Sequence, residues 1–145
     1  MAPALTVGVY LITDESRGKS VQARLPTHVW MPTSDQGVRK LPCGRWWDAV
    51  RVPEHRARHV LTRLAYGSAV IHDQAAGLYT WLVAPGGAGG WDQVALGVLV
   101  PPPGHVIAVP PGEWQAGPGT RWLVPPGNTL TDADRLLEAL RATPL

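Results

Sequence analysis

Proline closes almost every apolar run in this chain. The stretches "WWDAVRV", "VLV", "HVIAV" and "TRWLV" end at Pro53, Pro101 to Pro103, Pro110-Pro111 and Pro125-Pro126. A proline ring cannot donate to a strand ladder, so these runs predict short strands bounded by sharp corners, which is an irregular sheet. Pro26 and Pro32 impose the same limit on "ARLPTHVWM", which fits an edge or an irregular path.

Alternation of apolar and polar residues predicts a first strand over Leu5 to Thr13 and a central strand in "WWDAVRV". "SAVIHD" and "LYTWLVAP" are joined by "QAAG", whose Gly77 suits the turn of an antiparallel hairpin. Pro53 fits the first position of a helix, and Ala57, Val60, Leu61 and Leu64 then form one apolar stripe that stops near Gly67. On this spacing Arg56, His59 and Arg63 form a basic stripe facing solvent. A second helix opens at Thr131, expected to be its cap, and buries Ala133, Leu136, Leu137 and Leu140. "GGAGGWDQVALG" lacks the lysine and threonine of a phosphate-binding loop and predicts a connector leading into a short helical turn. The expected fold is a single α+β domain over residues 1–145. A mixed or antiparallel sheet of six to seven strands carries two main helices.

Charged residues are 17% of the chain and hydrophobic residues 45%, a globular balance. Cys43 is the single cysteine, which excludes an internal disulfide and fits a reducing cytoplasm. The apolar stretch from Ala4 to Ile12 has no basic residue before it, so no signal peptide is expected, nor any membrane span. Net charge is +2 but uneven. Residues 1–66 hold ten Lys and Arg against five Asp and Glu, while residues 67–145 hold three against six. The front half is thus suited to phosphate backbones or to an acidic protein.

Catalytic signals are sparse. Asp48 stands alone in "GRWWDAVRVP", and Arg51 opposes cation binding where a second acid would help. His72, Asp73, Asp92 and His105 are the remaining acid/base or metal candidates. Adjacent strand residues point to opposite faces, which weakens the His72-Asp73 pairing. His28, His55 and His59 are expected to be surface or structural residues. Ser68 and Cys43 lack any recognisable nucleophile context. Of the seven tryptophans, Trp46, Trp47, Trp81 and Trp122 are expected in the core or half-buried at its edge. Trp30, Trp91 and Trp114 lie near loop signals, where an exposed indole beside arginines can stack a nucleic-acid base.

The ordered set "LPCGRWWDAVRVP", "LVAPG", "GHVIAVPPG", "GTRWLVPPG" and "LTDADRLLEAL", within residues 42–140, resembles the actinobacterial prim-pol family, the N-terminal domains of bifunctional DNA primase/polymerases. The resemblance implies an archaeo-eukaryotic primase-like fold, with residues 1–40 divergent. It also implies that the catalytic set is lost. The family's acidic pair falls on Asp48 and a position near Arg51, its histidine near Tyr79, and its third acid in "LGVLV", which has no carboxylate. The expectation is therefore a non-catalytic module with Asp48 as a relic, needing no metal or cofactor. It would bind nucleic acid or a protein through Arg39, Lys40, Arg45, Arg51, Arg56, His59, Arg63 and Trp114. A regulatory subunit with an aromatic oligomer interface is the competing expectation, and a small His- or metal-dependent enzyme the third.

Overall fold

The structure, a computed structural model, describes residues 28–64, 69–125, 127 and 130–145. The expected strand over Leu5 to Thr13 lies outside the described residues, as does Ser68. So does most of "ARLPTHVWM", whose described part forms a turn in which Met31 N donates to His28 O.

The elements run β1 (Arg39–Pro42), β2 (Asp48–Pro53), α1 (Glu54–Arg63), β3 (Val70–Asp73), β4 (Leu78–Val83), α2 (Gln93–Leu96), β5 (Val106–Val109), β6 (Thr120–Val124) and α3 (Ala133–Ala142). The fold is α+β. Two antiparallel sheets are present, a four-stranded one in the order β2-β4-β3-β6 and a two-stranded ribbon of β1 and β5. The described residues thus carry six strands and three helices.

Alternation along the four-stranded sheet, interrupted where the β3/β6 register shifts between Val70 and Ile71, builds two cores. Val50, Val52, Val70, Trp81 and Val83 point to one face and pack under α1 and α3 with Ala57, Val60, Leu136 and Leu140. Ala49, Ile71, Leu82 and Trp122 point to the other face and meet Leu41, Ile107 and Val109 of the ribbon. The molecule is therefore layered as helices, sheet and ribbon. Trp30 stitches the ribbon side together, with ring centroids 5.9 Å from Trp47 and 6.4 Å from Trp122, within the span of favourable aromatic pairs. Its burial corrects the expectation that Trp30 lies exposed near a loop.

Three local expectations shift. β2 is not central among the named strands but ends their ladder. Its outer side is covered by one bridge, in which Arg51 and Leu99 exchange hydrogen bonds of 2.8 and 2.9 Å before the prolines at 101 to 103 end the pairing. Pro53 closes β2 with extended backbone (φ −55°, ψ 138°) and caps α1, so the helix proper starts at Glu54 and ends at Arg63. Asp132, not Thr131, caps α3 by accepting from the amides of Asp134 and Arg135. Thr131 is instead buried, bridged to Val83 and donating its hydroxyl to Ala69 O. The β3/β4 hairpin forms as expected, with Gly77 at φ +67°.

Candidate functional site

The expected basic residues fall on two opposite layers. On the ribbon layer, Arg39 and Lys40 of β1 are exposed. Lys40 shares the outward face with Val38 and Pro42, because Leu41 on the alternate face is buried against Ile107. The next turn presents Arg45, whose guanidinium lies 4.4 Å over the half-buried Trp46 ring. In such a cation–π contact the guanidinium covers the ring face it stacks on and turns its charge to solvent. That turn is held tightly. Gly44 sits at φ +92°, where a Cβ would lie 2.9 Å from the Pro103 side chain, and Cys43 N donates to His105 O at 2.7 Å.

Trp114 joins this layer through folding, not through sequence proximity. Its carbonyl accepts from Trp122 N at 2.8 Å, and its indole edge lies 3.8 Å from where a Cβ of Gly37 would be, two residues ahead of Arg39. It remains 38% exposed. None of Arg39, Lys40 or Arg45 is paired with a described carboxylate. Asp35 and Glu113 are exposed on the same layer, so the positive excess is modest.

The other basic candidates separate from this group. Arg51 lies half-buried, donating to Thr80 Oγ1 at 3.2 Å and to Asp73 Oδ2 at 2.9 Å, which neutralises it. Arg56, expected on a solvent-facing stripe, is 5% exposed. Its five donors meet five backbone carbonyls, those of Pro144, Leu96, Gly97, Leu140 and Thr143. These carbonyls close the C-terminal ends of α2 and α3, where helix dipoles are negative, so a cation is stable there without a carboxylate. Burial pushes the guanidinium's pKa down. Arg56 is thus a structural hub and is withdrawn from the surface. His59 and Arg63 are exposed on α1, on the helical side of the sheet.

The acid/base candidates do not converge. Asp48 Oδ2 accepts from Gly86 N at 2.7 Å and fastens the loop after β4. The residue two positions on, which shares its face of β2, is the fully buried Val50. Asp92 caps α2 by accepting from Ala95 N. His105 is exposed at the ribbon end. Among the described residues, no three His, Cys, Asp or Glu side chains gather where they could hold a metal ion. Cys43 is buried, and burial raises its thiol pKa, which suppresses the thiolate.

One polar cluster escaped the sequence analysis. His72 Nε2 lies 2.9 Å from Glu54 Oε1, the other Glu54 oxygen accepts from Arg58, and the His72 ring stands edge-on to Tyr79 at 5.1 Å. The hydrogen bond from His72, ahead of the opposing effect of burial and the help of Arg58, holds the Glu54 carboxyl below its usual range. His72 Nδ1 is buried and has no hydrogen-bond partner among the described residues. The Glu54/Arg58 spacing of four residues was visible in the sequence. The His72 partnership was not, because it needs the helix to lie across β3.

Comparison of the chain with protein families, curated proteins and solved structures returned no match.

Proposed function

We propose that this chain is a non-catalytic, cytoplasmic binding module of prim-pol-like descent that holds single-stranded or non-specific nucleic acid on its ribbon layer. The observation that carries this is the exposure of Arg39 and Lys40 on alternate faces of β1 and of Arg45 just after it, all free of described carboxylate partners, with Trp114 near Gly37 ahead of the strand and Trp46 under Arg45 beyond it. Cations follow a phosphate backbone and indoles stack bases without selecting sequence. No metal or cofactor is required. Asp48 serves the fold, and Val50 occupies the place from which a second carboxylate would have to reach.

Three phosphate contacts to a single strand give a slope of log affinity against log salt of about −2. Fluorescence anisotropy with a labelled oligonucleotide should therefore show about 20-fold weaker binding at 200 mM than at 50 mM salt. Trp114→Ala should cost about 1 to 3 kcal/mol of binding. No binding at the lower salt removes this proposal.

A second reading rests on a different feature of the same layer. Val38 and Val106 are 40% and 47% exposed on the outward ribbon face beside Lys40. Apolar exposure of this kind, with Trp and Arg nearby, also suits a protein partner or a second copy. Salt separates the two, since an apolar contact holds or tightens as salt rises.

A further inference from the structure

The solvent side of α1 carries a feature separate from the ribbon. His55 and His59 are both exposed and four residues apart on one ten-residue helix. Side chains at this spacing stand on the same face, with Cβ atoms about 5 to 6 Å apart. Both line one groove of about 370 Å³ between α1 and the segment Thr143 to Leu145, which Arg63 also borders. Neither ring is hydrogen-bonded to another described residue. Two imidazoles so placed can direct nitrogen lone pairs at a single point, and the helix holds their separation in advance.

We infer that His55 and His59 form a two-ligand chelate for a borderline divalent transition ion, with copper, nickel and zinc as the class. Imidazole suits these ions, and affinity should rank copper above nickel and zinc. The remaining coordination positions belong to water or an outside ligand, because no third His, Cys, Asp or Glu gathers here among the described residues. The site binds and does not hydrolyse. In the His-Glu-x-x-His arrangement the residue after the first histidine is a glutamate base. Here it is Arg56, turned inward onto five carbonyls. Arg63, one turn beyond His59, brings a positive charge to the groove and lowers the affinity without blocking it.

Titration of the untagged full chain with copper(II) chloride, followed by calorimetry and by paramagnetic broadening of amide signals, tests this. One ion per chain is expected, with broadening centred on residues 55–59. His55→Gln and His59→Gln should each weaken binding about tenfold or more, while His105→Gln leaves it unchanged. Arg63→Gln should tighten it severalfold, the opposite of what an anion-holding groove would give. Binding as tight as that of the unaltered chain in either histidine variant, broadening centred elsewhere, or weaker binding in Arg63→Gln would overturn the assignment.

Discussion

At the scale of single residues, Arg56 shows how a cation can be misplaced by helical spacing alone. Arg56, His59 and Arg63 share a periodicity, but one position of rotation decides whether a side chain meets water or the neighbouring helix ends. Arg56 falls on the inner side, and its planar fork of five donors matches five carbonyls that α2 and α3 cannot satisfy internally. Nothing local in the sequence marks this, since the acceptors lie 40 to 88 residues away. Arg56→Ala should destabilise the fold by about 3 kcal/mol or more, because it leaves several buried acceptors unmet. Arg56→Lys restores only part, as an ammonium offers three donors without the fork. Urea denaturation measures both, and a loss near zero for the alanine variant would contradict the hub.

At the scale of elements, periodicity was a good guide to what forms and a weaker guide to where it ends. The β3/β4 hairpin, the body of α1 and the buried stripe of α3 were legible because each repeats its pattern over several residues. Boundaries were set by tertiary partners instead: Thr131 is drawn into a bridge with Val83, which passes the cap to Asp132. The attachment of α1 to β3 through Glu54 and His72 belongs to this class and makes the elements' union sensitive to acid. Glu54 has a folded pKa lowered mainly by His72, so its contribution is present above the unfolded value of about 4.3 and is lost as pH falls through the folded value. Stability measured by denaturation should therefore decline below about pH 4.5, where the unfolded chain binds the proton first. Glu54→Gln should flatten that acid limb while leaving its shape at neutral pH unchanged. An identical acid limb in the variant would show that the Glu54 contact is not its source.

At the scale of the whole molecule, the layering decides which charges can act together. The sequence placed all the basic candidates in the front half of the chain, yet the four-stranded sheet divides them, with Arg39, Lys40 and Arg45 on the ribbon side and His59 and Arg63 on the helical side. This division was not legible beforehand. β1 is four residues of "RKLP" with no alternation to announce it, and its partner β5 lies more than 60 residues later. A single strand of nucleic acid lying on the ribbon would engage one group and not the other, which separates a local interface from a diffuse attraction to net charge. Replacing Arg39 and Lys40 together by Gln should then reduce the salt slope by about 1.4, two phosphate contacts at about 0.7 each. Arg63→Gln removes the same kind of charge from the far layer and should leave the slope unchanged. If instead all three substitutions lower the slope in proportion to charge, the ribbon has no special role and the binding is a property of the basic half as a whole.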